Sequence, residues 1–61
     1  MKLKEFRKSY GYPMKKMAAE FGVNFHTYKN WELGLRIPRK QAMQMIIRKT
    51  EGLVKVEDFY A

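Results

Sequence analysis

Four glycines and two prolines, at Gly11, Pro13, Gly22, Gly34, Pro38 and Gly52, cut this chain into short segments, and no break-free stretch is longer than residues 39–51. Inside the segments apolar residues recur at helical spacing, which predicts a bundle of short helices. The chain has 61 residues and no cysteine, so neither a disulfide framework nor a cysteine-based zinc site can staple it. Helix packing must carry the stability of one small domain, spanning residues 1–61. A catalytic barrel, a doubly wound sheet and a large active-site cleft are excluded by size. The longest apolar runs are pairs and triplets such as Ile46-Ile47 and Leu53-Val54, far short of a membrane span, and no secretory leader pattern follows Met1. A soluble, cytoplasmic protein without a membrane role is expected.

Leu3 and Phe6, followed by Tyr10, give the first segment an apolar stripe that Gly11 terminates. The second starts at Pro13 and places Met14, Met17, Ala18 and Phe21 at i, i+3, i+4 and i+7, ending at Gly22. Asn24 suits the N-cap of a third helix, with Val23 before it as a hydrophobic staple and Tyr28 and Trp31 spaced by three; Gly34 closes it. After Leu35-Arg36-Ile37-Pro38, residues 39–50 form a fourth amphipathic helix with Ala42, Met43, Ile46 and Ile47 on one face. In the tail, Leu53-Val54-Lys55-Val56 fits a short strand or an extended arm and Glu57-Asp58-Phe59-Tyr60 one helical turn; an extended arm folding back on the core is expected.

Two short helices around a Gly-Val-Asn turn, the second carrying Trp31 and followed by a basic loop ending in proline, form the pattern of a helix-turn-helix. Gly22 supplies a left-handed backbone, Ala18 allows close helix crossing, and Val23, Tyr28 and Trp31 seat the second helix. The run Met17-Ala18-Ala19-Glu20-Phe21-Gly22-Val23-Asn24, then Thr27-Tyr28-Lys29-Asn30-Trp31-Glu32-Leu33-Gly34, then Arg36-Ile37-Pro38 resembles the phage Cro and lambda-repressor type of helix-turn-helix. The resemblance implies an all-α, lambda-repressor-like bundle of four to five short helices. It also implies that the second helix braces the DNA backbone while the third enters the major groove, in a bacterial or phage-infected cell. Chain length points to the Cro-like subset.

Helical spacing sorts the third helix into an inward stripe of Asn24, Thr27, Tyr28, Trp31 and Leu35 and an outward face of Phe25, His26, Lys29, Asn30 and Leu33. Asn and Lys hydrogen-bond adenine and guanine edges, and an exposed Phe meets a thymine methyl. The family's base-reading positions correspond to Asn24, Phe25, His26, Thr27, Lys29 and Asn30. Duller roles stay open: Phe25 also fits a packing role against Met14, His26 a phosphate contact, and Thr27 a packing role.

Thirteen Lys and Arg against six Asp and Glu give a net charge of +7. Residues 1–50 hold twelve bases and three acids, whereas residues 51–61 are mildly acidic. A basic body expects a polyanion, nucleic acid or anionic lipid. Because the bases are scattered over four segments rather than along one helix face, duplex DNA is favoured over a membrane surface. Lys15 and Lys16 oppose the dipole of the second helix, which suits them to meeting phosphate. Arg36, Arg39 and Lys40 flank the loop after the third helix as further phosphate clamps. Relatives place Thr or Ser and then Gln at the start of the second helix, where this chain has Pro13 and Met14; Tyr12 or Lys15 is the expected replacement contact. Arg7 and Glu32 match a family pair expected as a structural salt bridge.

One such module reads few base pairs, so a weak homodimer strengthened on DNA is expected. Leu33, Leu35, Met45, Leu53, Val54, Val56, Phe59 and Tyr60 exceed the needs of one small core. At least two of Leu53, Val56 and Phe59 are expected to close the base of the domain. The leading reading is a sequence-specific double-stranded-DNA regulator, a Cro-like repressor on palindromic half-sites. The alternative is an antitoxin or adaptor of the same fold whose main partner is a protein. A single His, no Cys and no phosphate loop argue against an enzyme, a metal site, a cofactor or a small-molecule substrate.

Overall fold

The structure is a computed structural model and describes residues 1–60. Among them the chain forms four α-helices, α1 (Leu3–Tyr10), α2 (Met14–Glu20), α3 (Phe25–Leu33) and α4 (Lys40–Lys49), then a 3-10 turn at Val56–Phe59, and no strand. This is the expected all-α bundle.

Helix α1 buries Leu3 and Phe6, and its start is capped by the Glu5 carboxylate, which accepts from the Lys2 N–H at 2.7 Å. Tyr10 is exposed; it contributes through ring contact with Phe6 at 4.9 Å and with Tyr12 at 5.5 Å. Helix α2 begins one residue later than expected. Pro13 is its N-cap in extended conformation (φ −71°, ψ 160°), so only its carbonyl joins the first turn. Met17, Ala18 and Phe21 enter the core and Met14 packs half-buried against it.

Gly22 at φ +70° makes the turn between α2 and α3. A Cβ there would meet nothing within 4 Å, so the requirement for glycine is torsional rather than steric. The turn also satisfies α2's last carbonyls, with Val23 N–H reaching Ala18 and Gly22 N–H reaching Ala19, both at 3.0 Å. Asn24 caps α3 as expected, its Oδ1 accepting from the His26 N–H at 2.7 Å, and Val23 packs half-buried against the core that contains Tyr28.

The inward stripe of α3 is narrower than the spacing suggested. Tyr28 and Trp31 are buried, whereas Asn24, Thr27 and Leu35 are exposed. Asn24 Oδ1 is taken up by the cap, which leaves its amide nitrogen free, and Thr27 lines the hollow beside Trp31 instead of entering the core. Leu35 follows Gly34, whose left-handed backbone takes the chain out of helical period, so the i+4 relation to Trp31 no longer holds.

Helix α4 buries Met43 and Ile46, with Ala42 and Ile47 half-buried. Lys49 Nζ donates to the Glu20 carbonyl at 3.0 Å, tying α4 to the end of α2. Beyond α4, Glu51 (φ 53°) and Gly52 (φ 80°) turn the chain back. Thr50, almost fully buried, fixes that return: its Oγ1 donates to the Ile46 carbonyl at 2.8 Å and accepts from the Val54 N–H at 3.2 Å.

The tail corrects two expectations. It folds back, but its end takes the helical-turn reading rather than the extended arm: residues 56–59 form a 3-10 turn, one residue earlier than Glu57–Tyr60, because the Asp58 carboxylate accepts from the Lys55 N–H at 2.8 Å and closes the turn. That hydrogen bond, with the N-terminal ammonium at 3.0 Å, holds the Asp58 carboxyl below its ordinary pKa. Of Leu53, Val56 and Phe59, only Phe59 packs on the core; Leu53 and Val56 are exposed. Val54, one of the residues expected to be surplus to the core, is fully buried and closes the domain instead.

Candidate nucleic-acid interface

Burial of Tyr28 and Trp31 fixes the rotation of α3 about its axis. His26 is consequently exposed, and Phe25, Lys29 and Asn30 are half-buried. The Phe25 and His26 rings meet edge-on at 5.6 Å, so they present one aromatic surface at the start of the helix.

The loop after α3 is built by backbone hydrogen bonds. The Asn30 carbonyl accepts from the Leu35 and Arg36 N–H groups at 3.0 and 3.2 Å, and Pro38 is buried at the loop's far end. Arg39 then caps α4 through its carbonyl, which accepts from the Met43 N–H at 2.7 Å. This path leaves a concavity of about 490 Å³ in which Thr27 and Asn30 of α3 face Arg36, Ile37 and Arg39, with Trp31 at its wall. A hydroxyl, an amide and two guanidiniums stand here among the apolar side chains of Val23, Ile37 and Ala42 and the Trp31 indole, so hydrogen-bond donors rim a largely apolar hollow. Such a surface complements phosphate, sugar and base edges. Ile37 was absent from the sequence-derived set; an isoleucine in a basic loop was the available signal, and it is 44% exposed.

The structure therefore brings Thr27, Asn30, Arg36 and Arg39 together, and pairs Phe25 with His26. It also sets the Lys16 ammonium over the Tyr12 ring, 4.4 Å from the centroid. Asn24, Lys15 and Lys40 are exposed. Lys15, Lys29 and Lys40 form no ion pair among the described residues.

The expected Arg7–Glu32 bridge is present. Arg7 Nε donates to Glu32 at 2.7 Å and Nη2 at 3.3 Å, while Nη1 donates to the Tyr12 carbonyl at 2.8 Å. The Glu32 hydrogen bond raises the Arg7 pKa against the opposing effect of burial. Beneath the pair, the Tyr28 hydroxyl is buried with no hydrogen-bond partner among the described residues. Burial, then the Glu32 carboxylate that the hydroxyl faces, pushes its pKa up. A buried hydroxyl without a partner carries a desolvation cost of about 1–3 kcal/mol. Tyr28→Phe is therefore expected to leave stability unchanged or raise it by about 1 kcal/mol in urea denaturation; a loss above that size would show that the hydroxyl supports the ion pair.

No group of His, Cys, Asp and Glu among the described residues is arranged to hold a metal ion. No helix among them is long and apolar enough to cross a membrane. Compared with protein-family models, residues 3–51 match the helix-turn-helix family, and the chain belongs to it. Searches of curated proteins and of solved structures return no match. Family and fold together define a DNA-binding helix-turn-helix regulator, in which α2 and α3 are the two helices of the motif.

Proposed function

We propose that the protein is a sequence-specific regulator of transcription, a Cro-like repressor that binds palindromic operator half-sites as a homodimer and acts in the cytoplasm. The observation that carries this reading is the concavity joining α3 to the basic loop, where Thr27 and Asn30 meet Arg36 and Arg39. Base reading falls to Asn24, Phe25, His26, Thr27, Lys29 and Asn30, and backbone contact to Lys15, Lys16, Arg36, Arg39 and Lys40, with Tyr12 alongside Lys16. The domain measures 23 × 20 × 20 Å, whereas successive half-sites on one DNA face lie about 34–36 Å apart. One copy covers one half-site, so a palindrome requires two. Leu33, Leu35, Leu53, Val56 and Tyr60 remain more than two-fifths exposed and supply apolar surface for the second copy.

The test is binding to a palindrome selected from a random DNA pool, compared with unrelated duplex. Lys29→Ala and Asn30→Ala are expected to cost about 1–3 kcal/mol on the selected site and much less on random sequence. Lys15→Ala should weaken both equally and reduce the salt slope by about 1. Equal losses on both duplexes for Lys29→Ala and Asn30→Ala would remove the base-reading assignment.

A further inference from the structure

Building on the reading of the basic face as a duplex-binding surface, we infer that Tyr12 is a positioning residue: it does not grip DNA itself but holds the Lys16 ammonium in place for a backbone phosphate. The ammonium sits 4.4 Å from the Tyr12 ring centroid, within the range of a cation–π contact. That contact engages the ring's electron-rich face and leaves N–H donors of the ammonium directed away from it. Lys16 is exposed and Tyr12 half-buried, so the charge meets solvent while the ring beneath it is anchored.

The anchoring is specific. Arg7 Nη1 donates to the Tyr12 carbonyl at 2.8 Å, the Tyr12 N–H donates to the Arg7 carbonyl at 3.4 Å, and the Tyr10 ring lies edge-on at 5.5 Å. Arg7 is itself fixed by Glu32 in the last turn of α3. A continuous set of contacts therefore runs from Glu32 through Arg7 and Tyr12 to Lys16, placing a cation of α2 in register with α3. A lysine loses substantial rotamer freedom when it is ordered on a phosphate. Stacking on a held ring removes part of that loss before binding.

The experiment measures the affinity of the full chain for a random-sequence duplex by fluorescence anisotropy across a salt series. It uses Tyr12→Leu, Tyr12→Phe, Lys16→Gln and the Tyr12→Leu/Lys16→Gln double variant. Tyr12→Leu should weaken binding about 2- to 5-fold, and Tyr12→Phe, which keeps the ring, should not. Lys16→Gln should weaken it further and lower the salt slope by about 1, and Tyr12→Leu should add no loss in that background. NMR gives a readout that needs no variant: the Lys16 ε-methylene protons should be shifted upfield by the ring in the unaltered protein, in Tyr12→Phe as well, and not in Tyr12→Leu. Additive losses in the double variant, equal losses for Tyr12→Leu and Tyr12→Phe, or Lys16 protons without a ring-current shift would each overturn the inference while leaving the DNA-binding reading intact. Failure of the unaltered chain to bind any duplex would overturn both.

Discussion

Trp31→Ala is expected to unfold most of the domain. The indole is only 7% exposed, lies edge-on to Tyr28 at 6.5 Å between centroids, and walls both the concavity at the basic loop and a second one of about 360 Å³ beside α1 and the 3-10 turn. Trp31 lines both hollows, so removing its indole takes a shared wall from each and leaves a cavity in the core. Large aromatic-to-alanine changes cost about 3–5 kcal/mol. A domain of this length, at ~0.05–0.15 kcal/mol per residue, has about 3–9 kcal/mol in total. Urea denaturation followed by circular dichroism should show a lost or much earlier transition. A cooperative Trp31→Ala variant within about 1 kcal/mol of the parent would mean that the core is held elsewhere.

The second large effect is expected at Glu32, whose side chain is 3% exposed against 13% for its partner Arg7. Removing the carboxylate in Glu32→Ala leaves a guanidinium that still donates to the Tyr12 carbonyl but lacks its counter-charge. Breaking a fully buried pair costs about 3–5 kcal/mol; because Arg7 retains a path to water, about 2–3 kcal/mol is expected here. The double change Arg7→Met/Glu32→Leu should lose less than the two single changes added together, since neither charge is then stranded. Strict additivity in equilibrium unfolding would show that the pair contributes nothing beyond its separate packing.

The helices were legible because each boundary has a local chemical cause. Gly22 and Gly34 require left-handed backbone, Asn24 caps α3 with its own side chain, and the apolar residues of α4 recur at helical spacing. The Arg7–Glu32 bridge was legible only through the family resemblance, since no local pattern links residues 25 positions apart. What the sequence concealed depends on tertiary contact or on chain direction after a break. Leu35 looked inward until Gly34 redirected the chain, and Thr27 looked inward because periodicity alone does not set the width of a buried stripe. Leu53-Val54-Lys55-Val56 has the apolar, β-branched character of an extended segment. Yet Thr50 draws the Val54 N–H into the core, and the Asp58 carboxylate closes a 3-10 turn just beyond. The stacking of Lys16 on Tyr12 was hidden because Tyr12 precedes the helix, where helical spacing rules do not apply.

The base-reading face remains the central claim, and a duplex titration followed by amide NMR tests it most directly. On adding a selected palindrome, the largest shifts should fall on residues 25–30 and 36–40, with smaller changes near Leu53 and Val56 as the second copy engages. Shifts centred instead on the hollow between Lys4, Leu33 and Phe59, with residues 25–30 undisturbed, would contradict the account.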